Sequence, residues 1–164
     1  MNDAILFREM RVEDADAVVE LVARTFNAFI APGYSSEGVQ HFLSSMTPER
    51  FLQLAQEGDL FLVAEIKDQI VGTISIRISD HSNHIRLLFV DGEYHRRGIA
   101  RQLLEKALEI RRGCDPTISE VTVKSSPYAL PIYGKLGFQQ LGPEQVQNGM
   151  RFIPMVLELQ LSEI

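Results

Sequence analysis

The sequence lacks the features on which several classes of protein depend. Its 164 residues contain one cysteine, Cys114, which excludes an internal disulfide framework and a zinc site built from several cysteines. No stretch approaches the roughly 20 apolar residues of a membrane-spanning helix. The opening residues, MNDAILFREMRVED, lack the basic start and apolar block of a signal peptide. We therefore expect a protein of the reducing cytoplasm that has no membrane partner.

Positive charge is also scarce. The chain has 16 Lys and Arg against 22 Asp and Glu, a net charge of −6, whereas general nucleic-acid binding is driven by neutralising phosphates. We expect no nucleic-acid partner. The acidity is compatible with a cationic substrate such as an amine, but many proteins with other substrates are equally acidic. Two common phosphate-binding patterns, GxxxxGK[ST] and GxGxxG, are missing as well.

The spacing of apolar and turn residues along the chain predicts one mixed α/β domain over residues 1–164. Strands are predicted at residues 4–10, 60–66, 70–78, 84–90, 121–124, 138–141 and 151–159. Helices are predicted from residue 11, in a second region split at Thr47-Pro48, at residues 98–112 and at residues 129–136. Threonine before proline is typical of a helix start, and Asn148-Gly149 is typical of a turn.

A cluster of arginine and glycine lies where a strand leads into a helix. Residues 93–104 read EYHRRGIARQLL in an otherwise acidic chain. The start of a helix leaves backbone N–H groups without partners and favours negative charge. Gly98 allows close approach of an anion, and Arg96, Arg97 and Arg101 add charge around it. From charge and glycine alone, a solvated basic turn explains the segment equally well.

Two motifs give the segment a more specific interpretation. Residues 95–100, HRRGIA, resemble the pyrophosphate loop of the GCN5-related N-acetyltransferase (GNAT) superfamily, whose pattern is Gln or Arg, two residues, Gly, one residue, then Gly or Ala. His95 departs from the first position of that pattern. Residues 125–138, SSPYALPIYGKLGF, resemble a later motif of the same superfamily, with Ser126 where asparagine is frequent. Both motifs occur in the expected order, and the resemblance covers essentially the whole chain.

The resemblance implies a fold and a cofactor. The implied fold is a central, mostly antiparallel twisted sheet of six to seven strands with one splayed parallel pair, flanked by about four helices. The implied co-substrate is acetyl-CoA, or coenzyme A after transfer, with no metal. The residues implied to bind it are Leu88, Phe89, Val90, His95, Arg96, Arg97, Gly98, Ile99, Ala100, Arg101 and Ser126.

Two side chains are candidates for moving protons. Tyr133 falls on the tyrosine of the second motif, and a phenol with a pKa near 10 is protonated and able to donate to a departing thiolate. The alternative is an aromatic residue that only packs. His84, which titrates near neutral pH, is a candidate base, although a strand-edge histidine without a role explains it equally well. A metal pair of His81 and His84 is disfavoured, because three residues apart on a strand they point to opposite faces.

The acceptor is not identified by these motifs. Phe29 and Tyr34 are candidate lining residues of an acceptor site, or part of a loop that caps the core. We expect acetyl transfer from acetyl-CoA to a primary amine of a small molecule or peptide, by direct attack in a ternary complex. The alternatives are a non-catalytic acyl-CoA-binding or regulatory module and an acyltransferase that uses a longer acyl-CoA. The resemblance also makes a homodimer possible.

Overall fold

A computed structural model describes residues 4–79 and 82–160 of the chain. His81, half of the disfavoured metal pair, lies outside these ranges. Within them the chain forms one eight-stranded sheet in the order β1-β2-β3-β4-β5-β8-β6, with β7 paired to β8. The strands are β1 Leu6–Glu9, β2 Leu60–Ile66, β3 Gln69–Ser79, β4 Ser82–Val90, β5 Glu120–Ser125, β6 Gln139–Gln140, β7 Gln145–Gln147 and β8 Met150–Glu158.

The described residues also form five α-helices. They are α1 Ala15–Thr25, α2 Ser36–Ser45, α3 Pro48–Gln56, α4 Ile99–Cys114 and α5 Leu130–Lys135. A π-helical segment, Phe26–Ile30, continues α1. The Thr47 side chain accepts a hydrogen bond from the N–H of Arg50 and so caps α3, which confirms the helix start predicted at Thr47-Pro48.

The two faces of the sheet carry separate cores. Val18, Val22 and Phe26 from the first helical segments pack with Phe51 of α3 on one face. Leu103, Leu104 and Ala107 of α4 are buried in the other cluster, on the opposite face. Apolar side chains at helical spacing therefore fix α1 and α4 on opposite sides of the sheet.

Strand β4 contains a bulge. Ser75 of β3 pairs with Leu87, but the next residue, Ile76, pairs with Ile85, so that Arg86 is an extra residue on β4. The bulge reverses the alternation of faces: Ile85 belongs to the α4 core and Leu87 to the α1 core. His84 and Leu88 therefore do not lie on the same face of the sheet, as regular alternation of side chains would place them.

Strands β4 and β5 diverge soon after they pair. They are parallel, and only two pairs of residues are in register, His84 with Thr122 and Ile85 with Val123. From Arg86 to Val90, the edge of β4 that faces away from β3 has no partner strand in the described part of the chain. An opening between the two strands results, and its far end leads toward the start of α4.

The structure confirms the mixed α/β fold with one splayed parallel pair. The sheet has eight strands, and the strand missing from the predicted set is β7, which has three residues, Gln145–Gln147. The predicted turn at Asn148-Gly149 joins β7 to β8, and both residues have left-handed φ angles of 54° and 77°. No helix in the described ranges is both long and apolar enough to cross a membrane.

Candidate functional site

The turn before α4 has the backbone of an anion-binding loop. Gly98 immediately precedes the helix with a left-handed φ of 75°, and Arg96 has a φ of 66°. These two left-handed residues curl the chain ahead of a 16-residue helix. The N–H groups of Ile99, Ala100 and Arg101 belong to its first turn, where intrahelical acceptors are lacking. The dipole of the helix adds partial positive charge at the same point.

The three arginines of this loop differ in their surroundings. The guanidinium of Arg97 lies 4.9 Å from the centre of the Tyr94 ring. A nitrogen of Arg101 donates to the backbone carbonyl of Lys135, 2.8 Å away, and so joins the helix to the end of α5. Arg96 is exposed, and no hydrogen bond or ion pair of its side chain occurs among the described residues. Of the three, Arg96 is the most available to a bound anion.

His95 connects the loop to the open edge of β4. Its Nε2 lies 2.7 Å from the carbonyl oxygen of Val90, the last residue of the strand. The Phe29 ring packs on His95 with 5.0 Å between ring centres, and on Tyr128 with 5.4 Å. Phe29 therefore lies beside the loop, and it is absent from the residues that line the cleft described next.

A cleft of about 450 Å³ lies between the first helices, the diverging strands and the β7–β8 hairpin. Its lining includes residues from both sides of the strand opening, among them Leu88 and Phe89 on β4 and Val123 and Lys124 on β5. The hairpin contributes Gln147, Asn148 and Met150 to the lining, and Ser35, just before α2, donates a hydrogen bond to the carbonyl of Gly149. A molecule lying along the β4 edge therefore has the α4 loop at one end and the cleft at the other.

Tyr133 lines this cleft from α5. Its side chain is 6% exposed, and its ring meets the Phe138 ring edge-on at 5.2 Å. Burial raises the pKa of Tyr133 above the ordinary value of 10.0, because the phenolate would be poorly solvated. The hydroxyl is consequently protonated over the whole neutral range and can act as a proton donor.

Ser126 holds the turn that leads to α5. Its Oγ accepts a hydrogen bond of 3.2 Å from the N–H of Ala129, and the residue is 9% exposed where it lines the cleft. The N–H of Tyr133 in turn donates to the carbonyl of Ala129. Through these contacts Ser126 positions Tyr133, besides its predicted contact with the cofactor.

His84 lines the cleft at the point where β4 and β5 still pair. Its Nδ1 lies 2.8 Å from the hydroxyl oxygen of Thr122. Burial lowers the pKa of His84 to about 4, and the charges of Arg77, Lys124 and Arg86 act in the same direction. The imidazole is therefore neutral at neutral pH. It can accept a hydrogen bond from an amine or a water, but it holds a full proton poorly.

Tyr34 is the candidate acceptor-site residue that lies in the cleft wall. Its hydroxyl donates to the carbonyl of Arg151 on β8 at 2.9 Å, and burial raises its pKa. Among the polar residues of the lining that sequence reasoning did not identify are His41, Arg50, Arg77 and Lys124. They come from α2, α3, β3 and β5, and no local motif connects them.

Among residues 4–79 and 82–160, no three His, Cys, Asp or Glu side chains lie close enough together to hold a metal ion.

Comparison with known proteins relates this geometry to a family. The model of the acetyltransferase (GNAT) domain matches residues 30–159. The acetyltransferase plu1384 of Photorhabdus laumondii is 36% identical over 62% of this chain and 71% of its own length. The uncharacterized N-acetyltransferase YafP of Escherichia coli is 40% identical over 52% of this chain, which spans 49% of that protein.

A solved structure is similar over nearly the whole fold. The PaiA N-acetyltransferase of Thermoplasma acidophilum, crystallised in complex with coenzyme A, has a TM-score of 0.79 and 22% identity, covering 95% of this chain and 99% of its own. At 22% identity this similarity shows a shared fold and nothing more specific. The match of the family model over residues 30–159 shows that this chain belongs to the GNAT acetyltransferase family.

Proposed function

We propose that the protein transfers an acetyl group from acetyl-CoA directly to a primary amine of a small molecule or peptide. The observation that carries this proposal is the opening between β4 and β5. One end of it leads to the anion-binding turn before α4, and the other reaches the cleft that Tyr133 lines. An extended thioester with a pyrophosphate at one end matches this arrangement.

The cofactor is proposed to bind mainly through the backbone. The amides of residues 96–101 and the start of α4 would hold the pyrophosphate, with Arg96 adding charge. The unpaired edge of β4, from Leu88 to Val90, would bond the amide groups of the pantetheine arm. A backbone N–H of this edge would also stabilise the oxyanion that forms on the thioester carbonyl.

The proposed reaction is a direct transfer in which a tetrahedral intermediate forms and then loses the thiolate, without a covalent bond to the protein. The neutral amine nitrogen attacks the thioester carbon, and the carbon–sulfur bond breaks as the amide forms. The amine gives up one proton, to water that is hydrogen-bonded to His84. Tyr133 donates a proton to the departing thiolate and recovers it from solvent, so that free coenzyme A leaves as a thiol.

The first test is release of coenzyme A from acetyl-CoA in the presence of a broad panel of amines. For Tyr133→Phe we expect kcat to fall by about 100-fold or more, with an unchanged Kd for acetyl-CoA, because only the transferable proton is removed. Tyr128→Phe, which removes the exposed hydroxyl of another tyrosine, is the matched control.

Wild-type kcat in Tyr133→Phe, with chemistry shown to be rate-limiting, would refute the assignment of the acid. Binding of acetyl-CoA with no amine-dependent release would favour the non-catalytic module. Release from a longer acyl-CoA only would identify that acyl-CoA as the donor.

A further inference from the structure

The cleft has a charge opposite to that of the molecule. The chain carries a net charge of −6, yet none of the residues that line the cleft within the described ranges is an Asp or a Glu. Four of them are Arg or Lys, namely Arg50, Arg77, Arg86 and Lys124. The acidity of the whole chain therefore does not describe the site that an acceptor would meet.

Three of these four cations are available to a ligand. Arg86 is neutralised by Asp59, whose Oδ2 lies 2.5 Å from the Arg86 Nε. The remaining three, Arg50, Arg77 and Lys124, are exposed and form no ion pair among the described residues. Arg50 donates only to the neutral Gln53 side chain, and Lys124 lies 5.0 Å from the centre of the Phe152 ring.

The charge is arranged along the depth of the cleft. Tyr133 is buried, and so are the apolar side chains of Leu87 and Phe89 on β4, which also line the cleft and are both under one-tenth exposed. Arg50, Arg77 and Lys124 come from α3, β3 and β5 and are exposed at the rim. An amine that reaches the thioester would therefore leave the other end of its molecule among three cations.

From this arrangement we infer that the acceptor is a small molecule that carries a carboxylate or phosphate as well as its primary amine. This inference rests on the proposed acetyl transfer. The amine would occupy the buried part of the cleft, and the oxyanion would be held by Arg50, Arg77 and Lys124 at the rim. A polyamine, with a positive charge at each end, would be repelled there.

The rim cations also favour the reactive form of the amine. Burial is the main cause of the low pKa of His84, and the positive charges of the rim cations Arg77 and Lys124 add to it. The same charges would lower the pKa of an ammonium bound beside that residue, since they disfavour any added proton. More of the bound acceptor would then be the neutral nucleophile, without a strong base in the cleft.

The test uses pairs of acceptors that share an amine and differ in the anionic group. 5-Aminopentanoate is compared with pentylamine for the carboxylate, and phosphoethanolamine with ethanolamine for the phosphate. We expect the anionic member of at least one pair to have a kcat/KM at least about tenfold higher, and the pair that responds identifies the oxyanion. Arg50→Gln, Arg77→Gln and Lys124→Gln should each lower that kcat/KM by about 10- to 100-fold.

The control variant is Lys106→Gln, which removes a cation from α4 on the other face of the sheet, where it lies over the Phe7 ring. This variant should leave the kcat/KM for both acceptors of a pair unchanged. Preference for the neutral amine or for putrescine, unaffected by the three rim variants, would overturn the inference while leaving acetyl transfer intact.

A binding measurement keeps the two proposals separate. If no amine stimulates release, calorimetry of the same pairs against the protein–coenzyme A complex measures acceptor binding alone. Binding of the anionic members only, weakened in the rim variants, would support the anionic site even though acetyl transfer had failed. Equal or absent binding of both members would overturn it.

Discussion

At the scale of single residues, the proposed chemistry depends on two groups whose pKa values move in opposite directions. Burial raises the pKa of Tyr133 above 10.0, and burial with three nearby cations lowers the pKa of His84 to about 4. Both side chains are therefore uncharged at neutral pH. The site consists of a proton donor and a weak proton acceptor, with cations around the latter.

This pairing predicts the pH dependence of the reaction. Between its folded pKa of about 4 and neutral pH, His84 does not change its charge, so kcat/KM should show no ionisation near 6.5. The rate should rise with pH as the acceptor amine loses its proton, without an alkaline fall near 10 from Tyr133. Profiles of wild type and His84→Gln should have the same shape. An acid limb at 6.5 that disappears in His84→Gln would contradict this prediction.

At the scale of the loop before α4, the charge of Arg96 is proposed to strengthen a pyrophosphate site formed mainly by backbone N–H groups. Arg96→Glu should raise the Kd for coenzyme A about tenfold or more, because it places a negative charge beside the pyrophosphate. The melting temperature should be little changed, since the side chain is exposed. Lys106→Glu, the same charge change on α4, should leave the Kd unaltered. An unchanged Kd in Arg96→Glu would mean that the backbone alone holds the phosphates or that they bind elsewhere.

The contact between α2 and the β7–β8 hairpin gives a second prediction at this scale. A Cβ on Gly38 would collide with the carbonyl of Gly149, and the adjacent Ser35 and Tyr34 also bond this hairpin. Gly38→Ala should therefore separate the two elements, lower the stability by about 1–3 kcal/mol and raise the KM for the acceptor.

Gly113→Ala is the control for this change, because a Cβ there meets nothing within 4 Å in the exposed last turn of α4. It should be neutral or slightly stabilising. Denaturant unfolding and acceptor kinetics measure both effects. An unchanged KM in Gly38→Ala would show that the hairpin does not shape the acceptor site.

Elements with a local signal could be predicted from the sequence, and contacts between distant segments could not. Thr47-Pro48, Asn148-Gly149 and the turn at Gly98 each carry their own backbone preferences, and all are found where predicted. The bulge at Arg86 has no such signal, because it depends on how β3 pairs with β4. The rim cations were missed for a similar reason: the sheet brings together residues from α3, β3 and β5 that are far apart in the sequence.

At the scale of the whole molecule, stability should fall in two steps on acidification. The folded pKa of His84 is about 4 and its ordinary value is 6.5, so the unfolded chain takes up the proton first and stability decreases as pH falls through this interval. The Arg8 guanidinium, 2.6 Å from Asp14, lowers the pKa of that carboxyl below 3.8. Its contribution is present above 3.8 and is lost as pH falls through the lower folded value.

Urea unfolding at a series of pH values separates the two groups. His84→Gln should flatten the upper step and leave the lower one. Asp14→Asn should reduce the lower step, to which Asp91 also contributes because its pKa is likewise lowered, and should destabilise the protein at neutral pH, because Arg8 loses its closest partner. If the free energy of unfolding of His84→Gln still fell between pH 6.5 and pH 4 as it does in the wild type, other residues would be responsible for that step.

The two register pairs between β4 and β5 have a mechanical consequence. They are the only ladder that joins the four strands β1 to β4 to the other four within the described sheet. The sheet is therefore nearly divided into two halves. A ligand hydrogen-bonded to both edges of the gap would connect them in place of the absent strand-to-strand hydrogen bonds. Such a ligand stabilises the native state by about 2.7 kcal/mol at 100 times its Kd. If the proposed cofactor bonds both edges, hydrogen exchange should slow along β4 and β5 alike, and its binding would stabilise the sheet as well as supply the acetyl group.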